Sequence, residues 1–423
     1  MDRATPSPVF AASARGALDV PPMIIRRKNY LYPGIFRAYA RHLAAGELVA
    51  GPSRERFEAA FTRSIGVPFG TLTSCGTHAL MLALEHYRAV GSLPPDAEIL
   101  IPAFTTYIVP ELLDYMGVRY RTIDILPGRT TMDAADLEAK VGPATRAVLV
   151  THLMGNMCDL AVLEVCRRRG LLVIEDCAQV HGARWSDAAG TPAGGLGDAA
   201  FYSFGYNKII TSCNGGILLT RDAALHAHAR RRMGATAEPT ALNVSKKLFV
   251  AVAENVMTHA PFAWALVPFL KHDAALKRWK RRYNHFAHDQ FDDFRRLSNV
   301  QAAWALEQLD ALPETLERRM RQERALEADA PVSVSFVERR PGDVSYLVIA
   351  RVSDASACRE ALFRAGIDTG IGTTIMEAFG GVEGQPGLAR SLATYVQLPA
   401  HFDLSERAVE LIRRSLSAFA HEP

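Results

Sequence analysis

The sequence predicts an α/β fold: a large domain in three layers around a mostly parallel seven-stranded sheet, followed by a smaller C-terminal α+β domain. Two patterns predict it. Short runs rich in Val, Ile and Leu alternate with segments of helical period, which is typical of strands buried between two layers of helices. After residue 331 the pattern changes to two strands, a helix and a closing helix. The strands predicted for the large sheet are residues 70–74, 98–102, 119–124, 147–152, 171–176, 199–204 and 216–220.

The chain of 423 residues is long enough for two domains with buried cores. Residues 1–25, rich in Ala, Pro and Ser, are predicted to form a poorly ordered lead-in. We assign residues 26–312 to the large domain and 313–423 to the small one. The helical period of residues 292–328 predicts one long helix that joins them. The further elements predicted are strands at 332–337 and 346–352 and helices at 355–365 and 405–419.

Charge and cysteine content exclude several classes of function. The chain has 48 Lys and Arg against 45 Asp and Glu, a net charge of +3, whereas a dedicated nucleic-acid-binding protein would be clearly basic. Six cysteines without a CxxC pair do not indicate a disulfide scaffold or a zinc ribbon. Residues 1–20 contain no continuous apolar core of signal-peptide length. We therefore expect a cytoplasmic protein with reduced thiols, no nucleic-acid partner and no metal.

In open α/β sheets, ligands bind beside the carboxyl ends of the strands, so the strand-to-helix junctions are the candidate sites. At the first junction, Ser74 ends a strand and Gly76 permits a tight turn before a helix rich in Ala and Leu. The N-terminus of a helix presents unpaired N–H groups, which suit a phosphate, and Thr77 adds a hydroxyl donor. The alternative is a helix cap without a ligand.

At the second junction, Glu175 and Asp176 end a buried strand and are followed by small residues. A carboxylate here can cap the next helix, bind a metal, or pair with a cationic nitrogen of a ligand. The metal hypothesis lacks further ligands at suitable spacing. His181, in the same segment, is interpreted as a structural histidine.

At the third junction, Lys208 lies between aromatic and apolar residues rather than among other charges. Partial burial lowers the pKa of a lysine and makes the nucleophilic amine available; the alternative is a surface lysine that extends its amine to solvent. Together, a phosphate site, a strand-end aspartate and a partly buried lysine are the groups that bind pyridoxal phosphate. The lysine would form the Schiff base, and Asp176 would pair with the pyridinium nitrogen.

Seven sequence blocks follow one another from residue 74 to residue 406. They are SCGTHAL at 74–80, ILIPAFT at 99–105, THLMG at 151–155, VIEDCAQVHGA at 173–183, GDAAFYSFGYNK at 197–208, RLSNVQAAWALEQLDAL at 296–312 and QLPAHFDLSE at 397–406. Through them the sequence resembles the DegT/DnrJ/EryC1/StrS family of pyridoxal-phosphate sugar aminotransferases, from about residue 51 to the C-terminus. The resemblance implies the fold of aspartate aminotransferase, known as fold type I.

The resemblance implies a role for each matching residue. Lys208 would hold the cofactor as a Schiff base, Asp176 would pair with its ring nitrogen, and Gln179 would contact the face or the 3-hydroxyl of the ring. A dehydratase branch of the family has His in place of the lysine, so Lys208 favours transamination. The residues that would hold the phosphate are Gly76, Thr77 and Ser203.

Three positions depart from the family pattern. Where the family has an aromatic residue that stacks on the cofactor ring, this chain has Thr106; Phe104 precedes it, and Tyr107 would take the role after a shift of one residue. The family's Gly-Glu-Gly-Gly is Cys-Asn-Gly-Gly at 213–216. An asparagine that reaches the phosphate of the neighbouring subunit has no equivalent at 294–298. We therefore expect an altered partner half of the site and an altered substrate.

The resemblance also implies the reaction and the assembly. An amino donor, most often glutamate, would give its amino group, and a keto sugar on a nucleotide diphosphate would receive it. Lys208 would move the proton. Active sites of the family are built from two chains, so a homodimer is expected. The alternatives are a lipid-linked or non-sugar ketone as acceptor, another pyridoxal-phosphate reaction such as elimination or decarboxylation, and a non-catalytic regulatory relative.

Residues 223–285 resemble the family least. They carry eleven Lys and Arg against three acidic residues. The apolar stretch 248–270 is interrupted by prolines and by polar residues at helical spacing, so a transmembrane helix is not expected. One hypothesis is a helical pair packed on the dimer, with a basic cluster that is solvated or binds the diphosphate of the substrate. The other is contact of residues 246–282 with the inner face of a membrane.

Overall fold

The computed structural model describes residues 23–26, 31–257, 291–328, 330–331, 333–369, 376–378, 383–401 and 404–417. Residues 1–22 of the predicted lead-in lie outside the described residues, as do residues 258–290, which include much of the apolar and basic insert. Within the described residues, no helix combines the length and the apolar character needed to cross a membrane.

A seven-stranded sheet forms the centre of the N-terminal part of the chain, as the sequence predicts. The first eight strands are β1 (Phe69–Thr73), β2 (Glu98–Pro102), β3 (Phe104–Thr106), β4 (Arg119–Ile123), β5 (Thr145–Thr151), β6 (Leu172–Asp176), β7 (Ala199–Ser203) and β8 (Gly216–Thr220). All except β3 belong to the sheet, in the spatial order β1-β8-β7-β6-β5-β2-β4. Strand β8 runs antiparallel to both of its neighbours, β1 and β7, and the other pairs in the sheet are parallel. Each strand begins and ends within two residues of its predicted position.

Helices cover both faces of this sheet. The first eight are α1 (Ile35–Ala44), α2 (Ser53–Ile65), α3 (Gly76–Ala89), α4 (Ile108–Tyr115), α5 (Ala134–Lys140), α6 (Leu160–Arg169), α7 (Ala223–Gly234) and α8 (Ala241–Met257). Successive side chains of a strand point to opposite faces. On β6, Val173 packs in the core beside α2, α5 and α6, whereas Ile174 packs in the core beside α3, α4 and α7. The predicted three-layer arrangement is confirmed.

The C-terminal part of the chain forms a smaller α+β unit, also as predicted. Two helices precede it, α9 (Asn299–Asp310) and α10 (Leu312–Glu327). Its strands are β9 (Ser335–Phe336), β10 (Val348–Arg351), β11 (Met376–Ala378) and β12 (Tyr395–Leu398). Its helices are α11 (Ala355–Arg364), α12 (Pro386–Thr394) and α13 (Glu406–Ser417). Strands β12, β10 and β9 form an antiparallel sheet. Leu362 of α11 and Leu416 of α13 pack in the hydrophobic core of this unit.

Two predictions for this region are wrong in detail. The single helix predicted at 292–328 is divided into α9 and α10 at Ala311, because Pro313 lies in the first turn of α10 and cannot donate an N–H to a continuing helix. Helix α9 starts later than predicted, at a capping box between Ser298 and Gln301. Within the described part of 332–337, strand structure is confined to the two residues of β9.

A two-stranded antiparallel pair joins the two parts of the chain, and the sequence does not predict it. Strand β3 pairs with β11, with Phe104 opposite Ala378 and Thr106 opposite Met376. The pair places the start of α4 beside the C-terminal unit.

Candidate active site

The carboxyl ends of β1, β6 and β7 meet at one edge of the large sheet. Thr73 ends β1 and Ser203 ends β7, and both pair with Gly216 at the start of β8, so the three residues form one row across the sheet. Asp176 ends β6, and it pairs with Phe201 on the neighbouring β7. The strand order therefore places the three predicted junctions side by side.

Helix α3 begins directly against Ser203. A Cβ atom on Gly76 would lie 2.8 Å from Ser203 Cβ, and one on Gly216 would lie 2.5 Å from the carbonyl carbon of Cys75, so neither position has room for a side chain. Cys75 is the N-cap residue of α3, but its side chain makes no capping hydrogen bond. Thr77, half-buried, lies in the same first turn. The backbone N–H groups of this first turn and the hydroxyls of Thr77 and Ser203 thus lie at the same end of the sheet. Such N–H and hydroxyl donors are what a phosphate requires.

Asp176 is a buried carboxylate that accepts a backbone hydrogen bond. It is 4% exposed, and its Oδ1 accepts a hydrogen bond from the Ala178 N–H at 3.0 Å. Burial raises the pKa of Asp176, while the positive charge of Lys208 acts in the opposite direction. A cationic group placed beside this carboxylate would be stabilised by it.

Lys208 lies in the loop after β7, where it is half-buried. Its Nζ lies 5.6 Å from the centre of the Tyr346 ring. Tyr346 precedes β10, so the C-terminal unit contributes a side chain to this site, and the sequence analysis did not identify it. His181 is completely buried; burial, together with the charge of Lys208, lowers the pKa of His181 to about 3. His181 is therefore a neutral group near the lysine.

Glu175 is the centre of a buried polar group on the other face of the sheet. Its carboxylate accepts hydrogen bonds from Trp185 Nε1 at 3.0 Å and His152 Nε2 at 3.1 Å, and from the backbone N–H groups of residues 194, 196 and 197. Burial alone would raise the pKa of Glu175, but these donors outweigh it and the pKa is lowered. His152, Glu175 and Cys177 are close enough to suggest a metal site. The remaining nitrogen of His152 already accepts the Cys158 N–H at 3.1 Å, so the group is interpreted as structural.

Gln179 lies at the same strand edge as Asp176 and is 7% exposed. Its Oε1 accepts a hydrogen bond from the Met154 N–H at 2.9 Å. Because a backbone N–H can only be given to the oxygen of the amide, this bond fixes which end of the Gln179 side chain is the carbonyl.

The structure separates the aromatic residues around Thr106. Phe104 is 6% exposed and packs in the hydrophobic core beside α2, α5 and α6. Tyr107 is half-buried at the N-cap of α4. Phe104 is thus part of the core, and Tyr107 remains the residue predicted to stack on a bound ring.

Two glutamines of α9 hold the segment that follows Lys208, and the sequence analysis missed them. Gln308 donates to the Thr211 carbonyl at 2.6 Å and accepts the Thr211 N–H at 3.0 Å. Gln301 donates to the carbonyls of Ser212 at 2.9 Å and Asn214 at 2.8 Å. These bonds fix a segment in which residues 213 and 214 have the left-handed backbone conformation. No local pattern marks such contacts, since the partners lie about 90 residues apart in the chain.

The chain is similar to known proteins in sequence and in fold. The model of the DegT/DnrJ/EryC1/StrS aminotransferase family matches residues 34–415. A GDP-perosamine synthase from Caulobacter vibrioides is 40% identical over 184 residues, which are 43% of this chain and 48% of that protein. The chain spans about half the length of the curated relatives that it matches.

Solved structures resemble the chain over almost its whole length. The sugar aminotransferase CalS13 from Micromonospora echinospora has a TM-score of 0.71 and 26% identity, and the match covers 94% of this chain and 100% of CalS13. Spr1654 from Streptococcus pneumoniae, in its PLP-form, has a TM-score of 0.70 and 16% identity, covering 94% and 98% of the two chains.

Proposed function

The chain belongs to the DegT/DnrJ/EryC1/StrS aminotransferase family, and from this premise we propose that it is a pyridoxal-phosphate-dependent aminotransferase that acts on a keto sugar. The observation that carries the proposal is the convergence of Lys208, Asp176 and the first turn of α3 at one strand edge. These three features supply an amine, an anion and a phosphate cradle.

The residues of the site fit the cofactor. Gly76 lets the first turn of α3 lie directly against Ser203, and Gly76, Thr77 and Ser203 would hold the phosphate there. Asp176 would accept a hydrogen bond from the protonated ring nitrogen, and its burial makes a cationic partner favourable. Gln179 and Tyr107 would contact the ring, and Lys208 would hold the cofactor covalently through Nζ.

When bound, pyridoxal phosphate supplies an electron sink that makes the Cα–H bond of an amino substrate acidic. The chain's own contribution is acid–base chemistry. Lys208 Nζ would hold the cofactor and, as a free amine, would take up the substrate proton and later give up the same proton. Asp176 would keep the ring nitrogen protonated, and the neutral His181 adds no positive charge beside the amine.

We propose L-glutamate as the amino donor and a nucleotide-linked keto sugar as the acceptor. The name of the Caulobacter relative, GDP-perosamine synthase, supports a nucleotide sugar. A lipid-linked sugar and a non-sugar ketone are the competing acceptors. Mass spectrometry of reactions with glutamate and candidate ketones would identify the acceptor, because transamination replaces the carbonyl oxygen by an amino group.

Lys208→Ala tests the assignment, with Lys246→Ala as its control because Lys246 is exposed on α8. The wild type and Lys246→Ala should carry a yellow chromophore that borohydride bleaches, and glutamate should convert it stoichiometrically to the pyridoxamine form. Lys208→Ala should show neither the bleachable chromophore nor its conversion by glutamate. Normal turnover by Lys208→Ala would contradict the assignment. A colourless wild type would favour a non-catalytic relative, and a chromophore that glutamate leaves unchanged would favour elimination or decarboxylation.

We further propose a homodimer in which a second copy covers α8. Leu242, Phe249 and Val256 follow one another at intervals of seven residues on this helix and are 76%, 71% and 51% exposed. Exposed apolar side chains along one side of a helix favour association. Light scattering of Phe249→Glu against wild type tests this: the variant should be monomeric. An unchanged mass together with binding of the wild type to liposomes would instead favour the membrane hypothesis for residues 246–282.

A further inference from the structure

Met154 has a backbone conformation that few residues adopt. Its φ is +56°, in the left-handed region that costs energy for any residue with a side chain and persists only where the surroundings hold it. The side chain is buried. The next residue, Gly155, has a φ of +89°, and a Cβ there would lie 2.0 Å from the Val344 carbonyl oxygen. The turn after β5 is thus pressed against the C-terminal unit.

Both polar groups of Met154 are hydrogen-bonded, each to a different part of the protein. Its N–H donates to Gln179 Oε1 at 2.9 Å. Its carbonyl accepts from Arg339 Nη1 at 2.9 Å. Rotation of Met154 out of the left-handed region would turn its N–H away from Gln179. The hydrogen bond from Arg339 to the Met154 carbonyl and the hydrogen bond from the Met154 N–H to Gln179 therefore depend on the same backbone conformation.

Arg339 is itself held on several sides. Its Nε donates to Glu323 Oε1 at 2.8 Å, and the Glu323 side chain is 3% exposed. Its Nη2 donates to the Leu347 carbonyl at 2.6 Å, and Nη1 also contacts Asn156 Oδ1. A planar guanidinium can serve four partners at once, whereas a lysine cannot.

We propose that Arg339 is a positioning residue that holds Gln179 in place through the backbone of Met154. With Oε1 of Gln179 fixed on Met154, the amide NH2 is the donor end, which suits an acceptor oxygen on the cofactor ring. The proposal rests on the proposed function, because that function gives Gln179 its place beside the cofactor. It extends the site by a residue of the C-terminal unit that lies 185 positions from Met154 in sequence.

The first experiment uses the protein without cofactor, so that it does not depend on the proposed function. Hydrogen exchange of the Met154 amide should accelerate at least about tenfold in Arg339→Met, the effect of losing a charge-assisted hydrogen bond. Arg340→Met is the matched control, since the Arg340 side chain pairs with Asp159 instead. Unchanged exchange in Arg339→Met, or equal acceleration in both variants, would overturn the proposal. Arg339→Lys replaces Arg339→Met if the latter does not fold, with the same expected result.

The second experiment measures the dissociation constant of pyridoxal phosphate by absorbance titration in a double-mutant cycle. Arg339→Met should weaken binding about tenfold in the wild-type background and less than twofold when combined with Gln179→Ala. An equal loss in both backgrounds would show that Arg339 acts independently of Gln179 and would overturn the proposal. If the wild type bound no pyridoxal phosphate, the proposed function would fail while the exchange result stood on its own.

Discussion

Glu175 and Asp176 are adjacent on β6, but their carboxylates lie in opposite electrostatic environments on the two faces of the sheet. Five hydrogen-bond donors surround Glu175 and lower its pKa. Asp176 accepts a hydrogen bond from the Ala178 N–H, and burial raises its pKa. Glu175 stabilises the fold through these hydrogen bonds, whereas Asp176 can pair with a cationic ligand. Because successive side chains of a strand point to opposite faces of the sheet, two adjacent residues can have these two different roles.

Replacement of Glu175 by Gln should destabilise the protein by about 3 kcal/mol, because one partner of a buried, hydrogen-bonded pair is removed. Urea denaturation at pH 7 would measure this loss as a lower midpoint with an unchanged slope. Since the pKa of Glu175 in the folded protein lies below its ordinary value of 4.5, the advantage of the wild type should shrink as the pH falls below 4.5. Glu138→Gln, at a half-exposed carboxylate that pairs with Arg168 and Arg169 at the surface, is the control, and an equal loss there would contradict the prediction.

Replacement of Asp176 by Asn should have the opposite effect on stability. The folded-state pKa of Asp176 is raised above its ordinary value of 3.8, so ionisation of this carboxyl costs stability as the pH rises above 3.8. The cofactor-free Asp176→Asn protein should therefore unfold at higher urea concentration than the wild type at pH 7, while kcat falls by about 100-fold or more. A variant less stable than the wild type at pH 7 would contradict this account of the site.

The large sheet could be predicted because its signals are local. Each strand is a short apolar run bounded by turn residues, and strand burial on both faces follows from the surrounding helices. The site was predicted from one general rule, that ligands bind at the carboxyl ends of strands. That rule singled out Gly76, Asp176 and Lys208, and the strand order then brings their segments together.

The remainder of the site depends on contacts between distant parts of the chain. Tyr346 lies beside Lys208, and Arg339 bonds to Met154, but neither residue stands in a pattern that marks it locally. The same holds for the β3–β11 pair. The helix break at Ala311 was also missed. The apolar residues continue at helical spacing across it, and this pattern was given more weight than Pro313, which favours a new helix start. Long-range packing, rather than local propensity, decides these features.

Substitution of Gly76 by Ala tests the phosphate cradle. The added Cβ would lie 2.8 Å from Ser203 Cβ and 3.3 Å from Ser203 Cα, so the helix terminus and the strand end must move apart. We expect the affinity for pyridoxal phosphate to fall at least about tenfold, since the phosphate donors are displaced. The affinity for unphosphorylated pyridoxal should change much less. Gly234→Ala, where nothing lies within 4 Å of the new Cβ, should leave both affinities unchanged, and an equal loss for both ligands in Gly76→Ala would contradict a phosphate role.

Substitution of Gln308 by Met tests whether α9 holds the Lys208 segment. The change removes both hydrogen bonds to Thr211 and leaves a buried N–H and carbonyl without partners, which should cost about 2–4 kcal/mol of the free energy of unfolding. Hydrogen exchange should accelerate in residues 208–215 before it does so in the rest of the sheet, because the segment opens locally. Glu307→Gln on the same helix, at a half-exposed ion pair with Arg41, should change stability by less than about 1 kcal/mol. Uniform acceleration across the sheet would show that Gln308 supports the whole fold and that its contacts do not act selectively on the lysine segment.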